Sequence, residues 1–116
     1  EQGWLDDNRA LAQAFVDAYI DALRWADTNK DEYIELSKEV VPDMPDEMRG
    51  PAYDVLYGVG LFATNGGLTP ESIQKLTDIG IDAGSIEEPV PTNWYTMDLI
   101  EDYLARKGER EQRVSE

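Results

Sequence analysis

Leu11-Ala12-Gln13-Ala14-Phe15-Val16-Asp17-Ala18-Tyr19-Ile20 is the stretch on which the fold class turns. It is alanine-rich, Asp7 or Asn8 stands before it as N-cap, and its apolar residues recur at helical spacing, so residues 8 to 27 are expected to form one helix. At about 100° per residue, Leu11, Phe15, Ala18, Ala22 and Trp25 share a face, and Val16, Ile20 and Leu23 carry the apolar arc past half the circumference. Gln13, Asp17, Asp21 and Arg24 keep only a narrow polar strip. A helix this apolar is expected to be wedged between neighbours on two sides, as part of something larger.

Working outward, Asn29 with Glu32 three residues on is expected to cap a second helix, with Tyr33, Leu36 and Val40 as its buried stripe and Pro42 and Pro45 ending it. Residues 46 to 63 read as a third helix that opens on acidic residues, carries Tyr53, Val55, Leu56, Tyr57, Val59 and Phe62, and bends or breaks at Pro51. Asn65-Gly66-Gly67 is a turn. Thr69 then caps a fourth helix with Pro70 at its first position, and Gly80 is expected to stop it. Ile81 to Pro91 reads as an extended connector. Thr92 or Asn93 is expected to cap a last helix holding Met97, Ile100, Tyr103 and Leu104, ended by Gly108. The class is therefore all-α, with about five helices in a single helical domain over residues 1–108, and residues 109–116 are expected to form a charged, disordered tail.

With 116 residues the chain can fill one domain with a modest core. Its 25 acidic and 10 basic residues give a formal charge of −15, spread along the whole length. Such a surface repels nucleic acid and anionic lipid, so neither is expected as a partner. No apolar run approaches the roughly 20 residues that span a bilayer, and direct membrane insertion is not expected. Neither cysteine nor histidine occurs, which removes disulfides, thiolate chemistry, the common zinc ligands and the usual general base near neutral pH. Without these, and without a glycine-rich phosphate loop, no reaction class can be assembled. The expectation is a protein that is not an enzyme and carries no cofactor or metal. Because the chain opens on Glu1, an upstream region is also expected.

Several residues could still hold a ligand. Asp54 is the only charge between Pro51 and Ala63, so it reads either as a buried carboxylate gripping a ligand or cation, or as the solvent strip of an apolar helix. Tyr57, four residues from Tyr53, could stack on a ligand or belong to the core. Trp94 and Tyr95, directly after the expected cap of the last helix, could line a cleft or lock the connector onto the body. Asp27-Thr28-Asn29-Lys30-Asp31-Glu32-Tyr33-Ile34 imitates the opening of a calcium loop, but Glu32 stands where the loop needs glycine and Lys38 where it needs a bidentate glutamate. A plain helix–helix turn is the expectation there. Glu87-Glu88 and the Asp98, Glu101, Asp102 group read as exposed carboxylates of an acidic surface rather than as an acid–base pair.

Trp4-Leu5-Asp6-Asp7-Asn8 leading into Ala14-Phe15-Val16-Asp17-Ala18 and Ala22-Leu23-Arg24-Trp25-Ala26, then Asp27-Thr28-Asn29-Lys30-Asp31-Glu32, then Leu68-Thr69-Pro70-Glu71-Ser72-Ile73-Gln74 with Ile79-Gly80-Ile81 and Pro89-Val90-Pro91, together resemble the C-terminal part of periplasmic substrate-binding proteins of ABC transporters. The similarity is to the nitrate, sulfonate and taurine group, which includes thiamine-precursor-binding proteins, and it covers roughly residues 4 to 108. Lys30 stands where that group usually has proline. The resemblance implies a two-lobed α/β fold of which this chain is the late helical part. It also implies capture of an anionic or small heterocyclic solute, delivery to a membrane permease, and a periplasmic or extracytoplasmic location. The alternative expectation is a free-standing acidic helical module for protein interaction.

Overall fold

The alanine-rich run is helical from Arg9 to Thr28 and organises the rest of the molecule. The computed structural model describes residues 2–91 and 95–111. Among them the chain forms six helices and no strand: α1 (Gln2–Asp7), α2 (Arg9–Thr28), α3 (Lys30–Val40), α4 (Asp46–Gly58), α5 (Pro70–Asp82) and α6 (Asp98–Lys107). The all-α class is as expected. Packing centres on α2, which lies against α1, α3 and α6, while α4 lies against α3. Residue numbers rise together across the α2–α6 seam, with Arg9 on Asp98 at 3.3 Å, Asp17 on Arg106 at 2.8 Å and Asp21 on Lys107 at 3.6 Å, so these two helices run parallel.

The two asparagines expected to be N-caps work in the opposite direction. Neither side chain accepts a hydrogen bond from the helix that follows it. Asn8 Nδ2 instead donates to the Trp4 carbonyl at 2.9 Å, and Asn29 Nδ2 to the Trp25 carbonyl at 2.8 Å, closing the preceding helix. Only one residue separates the helices at each junction, and here its side-chain amide serves a carbonyl in the last turn of the preceding helix, at Trp4 alongside the Asn8 backbone N–H. The expected Asn29–Glu32 capping pair is therefore absent, and a plain junction occupies the place of the calcium-loop look-alike.

Where α4 and α5 stop is decided by backbone glycines. Gly60 takes φ 68°; its N–H bonds the Tyr57 carbonyl and the Leu61 N–H bonds the Leu56 carbonyl. This is a Schellman ending, and it stops α4 at Gly58 instead of carrying the helix to residue 63. The helix does run unbroken through Pro51. At the far end of α5, Gly84 with φ 70° makes the same pair of bonds, Gly84 N–H to Ile81 and Ser85 N–H to Gly80. The expected stop at Gly80 is thus displaced by four residues. Gly80 is a seat: a Cβ there would come within 3.0 Å of the Ile86 side chain. The start of α5 is as read, with Thr69 and Ser72 forming a reciprocal capping box and Pro70 in the first turn. The last helix begins at Asp98, later than expected, and the expected caps Thr92 and Asn93 lie outside the described residues.

Two arginines hold the elements together. Arg49 is 4% exposed; it donates to the carbonyls of Ser37 (2.8 Å), Val41 (3.1 Å) and Met44 (2.6 Å), while its Nε bonds Asp46 at 3.0 Å. Its planar fork adds further donors to the end of α3 and the following turn, where the Ser37 and Val41 carbonyls also accept the Val41 and Met44 N–H groups. Arg24, placed on the polar strip by periodicity, is 6% exposed. It donates to the carbonyls of Thr64 (2.6 Å) and Gly108 (2.7 Å), reaches Asn65 Oδ1 at 3.3 Å and lies 4.9 Å over the Tyr103 ring. Asn65 also exchanges two hydrogen bonds with the backbone of Arg110. Of the residues expected to form the charged tail, 109–111 lie among the described ones, and Arg110 is held to the body.

The core is small. Ile20 and Tyr103 are fully buried along the α2–α6 seam, and Ala26, Tyr53 and Phe62 form a cluster backed by Leu23, Tyr33, Leu56 and Tyr57. The chain exposes 8539 Å², against about 6,400 Å² for a compact protein of its mass. Its radius of gyration is 17.1 Å, against about 13 Å for a compact chain of this length. On α2, Leu11, Phe15, Tyr19 and Trp25 remain exposed, so this helix is covered on one side only and is not wedged on two.

Candidate functional site

Between α2, α3 and the chain just after α4 lies an apolar groove of about 540 Å³, lined by Tyr19, Ala22, Leu23, Trp25, Ala26, Tyr33, Leu36, Leu61 and Phe62. Each element contributes by its own periodicity. Tyr19, Ala22 and Ala26 recur along one face of α2, and Tyr33 and Leu36 along one face of α3. Leu61 and Phe62 arrive because Gly60 ends α4 and turns the backbone back toward α2.

Floor and walls differ in rigidity. Tyr33 is held edge-on to Phe62 at 5.5 Å and to Tyr53 at 5.3 Å, and the Tyr53 and Phe62 rings are tilted against each other at 5.4 Å. The Tyr53 hydroxyl is anchored to the Ala26 carbonyl at 2.7 Å. A ring cluster of this kind fixes the floor by packing and hydrogen bonding together. The walls, Tyr19, Trp25, Leu36 and Leu61, are exposed. A smaller hollow of about 150 Å³ continues along α3, lined by Tyr33, Leu36, Ser37, Val40 and Val41. The chemistry available is burial of apolar surface with an aromatic floor, without polar groups converging on a reacting atom.

Of the ligand candidates read from the sequence, Asp54 and Tyr57 come together in a separate notch of about 250 Å³ with Asp27, Thr28, Lys30 and Tyr53. The Asp54 carboxylate is 61% exposed and pairs with Lys30 Nζ at 2.5 Å, so it occupies the solvent strip and is not a buried grip. Tyr57 stacks on Tyr53 with centroids 5.9 Å apart, as a core side chain does. Tyr95 is half-buried in the non-helical lead into α6 and contributes neither to this notch nor to the groove. Trp94 lies outside the described residues.

A third, polar cleft of about 670 Å³ opens along α2 and α6 beside Arg9, Gln13, Asp98, Glu101 and Asp102. Hydrogen bonds from Arg106 and then Gln13 hold the Asp17 carboxyl below its ordinary range, against a smaller opposing effect of burial. The Tyr103 hydroxyl, with further help from Lys107, does the same for Asp21, while burial and then Asp21 push the Tyr103 hydroxyl up. These shifts belong to a structural seam, since each carboxylate already has its donor. Among the described residues no three carboxylates converge on a point that could hold a metal ion.

Sequence reasoning found Tyr33, Leu36 and Trp25 as apolar positions but expected them covered, and it placed Phe62 inside a helix. The signal for the groove was the over-wide apolar arc of residues 11 to 25. Comparison of the chain with protein-family models, with curated proteins and with solved structures finds no match in any of the three.

Proposed function

We propose that this chain is a helical protein-interaction module whose groove between α2 and α3 receives the apolar face of a helix from another protein. The observation that carries this is the groove's construction: a packed aromatic floor beneath exposed apolar walls, on a body with excess surface. That excess is roughly 2,000 Å² over a compact protein of this mass, on the scale of a standard protein interface. An amphipathic helix is the occupant whose anchors, recurring every three to four residues, match a long apolar trough. A second copy of this chain is disfavoured, because two bodies of −15 repel each other.

The test is titration with a synthetic amphipathic Leu/Gln helix of about five turns, read by tryptophan fluorescence because Trp25 forms part of the wall. Saturable binding to the wild type that is lost in Leu61→Asp supports the reading. Absence of binding, or equal binding by Leu61→Asp, sinks it.

A second reading is favoured by the expanded shape. If the chain is the late helical portion of a periplasmic substrate-binding protein, its open apolar faces would pack on lobes supplied by the same polypeptide, with a solute and a permease as partners. The intact mass of the native gene product separates the two. A mass several times 13.1 kDa favours the transporter component, and a mass near that value favours the free-standing module.

A further inference from the structure

Resting on the interaction-module reading, we infer that the helix received by the groove is basic, with its cations aligned along the α3 side. The two rims of the groove differ in chemistry. On α2 the residues beyond the groove, Leu11, Phe15 and Ala18, are apolar and exposed. On α3, Glu32, Leu36 and Glu39 follow one another at i, i+4 and i+7, so the side chain that closes the groove wall stands in a row with two carboxylates. Both glutamates are exposed. Seven residues of helix separate them by about 10 Å, which equals the spacing of two residues seven apart on a helix laid alongside. The hollow that extends the groove past Leu36 to Val40 and Val41 runs along α3, so a helix seated there follows the same row.

Among residues 11 to 63, which build the groove, every cation is already engaged. Residues 11 to 63 contain eleven carboxylates and four basic side chains. Arg24 and Arg49 are buried on backbone carbonyls, Lys30 is held by Asp54, and Lys38 by Glu35. Among the described residues Glu32 and Glu39 pair with no cation. An acidic partner would be repelled. A neutral one would fill the groove and leave the field unanswered, whereas a basic one gains from both. Rim charges of this kind act mainly on association rate and partner choice, and each exposed pair contributes modestly.

The experiment compares two synthetic amphipathic peptides of identical apolar face, one with Leu/Lys and one with Leu/Gln composition, binding to the wild type and to the E32Q/E39Q variant at low and high salt. Because both glutamates are exposed and unpaired, the variant should keep its fold, checked by its helical circular dichroism. The Leu/Lys peptide is expected to bind the wild type about threefold to tenfold tighter at low salt. That advantage should shrink severalfold in E32Q/E39Q and at high salt, while Leu/Gln affinity stays unchanged. Equal affinities for the two peptides, or an advantage that E32Q/E39Q leaves intact, overturn the basic-partner inference but preserve the groove. Failure of both peptides to bind overturns the interaction-module reading with it.

Discussion

Helices α4 and α5 each have thirteen residues, and they are built on opposite principles. Helix α5 opens with a complete capping box and a proline in its first turn. It nevertheless buries only Thr77, leaves Leu76 and Ile79 exposed, and has no extensive contact along another helix. Helix α4 follows Pro45 without any side-chain cap and contains a proline inside it. Yet it carries the buried Arg49 and Tyr53 and packs on α3. Local signals thus define both ends of α5, whereas α4 takes only its end from a local signal, the Gly60 turn, and rests otherwise on tertiary burial. An isolated helix this short is marginal in water whatever its caps, so cooperative stability should reside in the α4 region and α5 should open independently.

The sharpest way to break this contrast is Phe62→Ala, which removes the ring that contacts both Tyr33 and Tyr53 beside α4. A loss of about 3–5 kcal/mol is expected in urea unfolding, and a loss under about 1 kcal/mol would mean that the aromatic cluster is not the seat of stability. Next comes Arg49→Met, which keeps the aliphatic stem and removes the guanidinium donors from the carbonyls of Ser37, Val41 and Met44. About 2–3 kcal/mol should disappear from the global transition. On the other side of the contrast, Thr69→Ala deletes one half of the α5 capping box. About 1 kcal/mol should be lost, visible as faster amide exchange confined to residues 70–82 with the global midpoint unchanged. A matching shift of that midpoint would show that α5 belongs to the same cooperative unit.

The smallest effect concerns pH and the α2–α6 seam. Asp17 and Asp21 have folded-state carboxyls lowered from the ordinary value. Their contribution is therefore present above the unfolded value of about 3.9 and is lost as pH falls through the lowered folded values. Acid titration followed by circular dichroism should show Asp17→Asn less stable than wild type near neutral pH, with the difference closing below about pH 4. A gap that stays constant down to pH 2 would refute the assignment.

The start of α5 was legible because Thr69, Pro70 and Ser72 interact within one turn, where spacing alone specifies the partners. Gly108 was legible for the same reason. Gly80 misled, because a glycine tolerated inside a helix for the sake of Ile86 looks identical in sequence to one that ends it. Asn8 and Asn29 misled because an amide between two adjacent helices can serve either end. Arg24 was hidden most completely: helical periodicity places it on the polar strip, and its partners Thr64 and Gly108 are 40 and 84 residues away.

The candidate groove divides along the same line. The apolar faces of α2 and α3 are written in Phe15, Tyr19, Trp25, Tyr33 and Leu36, so the sequence alone establishes that these helices have much to bury. Whether that surface is covered depends on where α4 ends, which the Gly60 backbone decides, and on which side of α2 receives α6, which Tyr103 and Arg24 decide through distant contacts. Charge and composition, being sums over the chain, were complete from the start. The open groove came only with the tertiary structure, because burial is a relation between residues far apart in sequence and no local pattern encodes it.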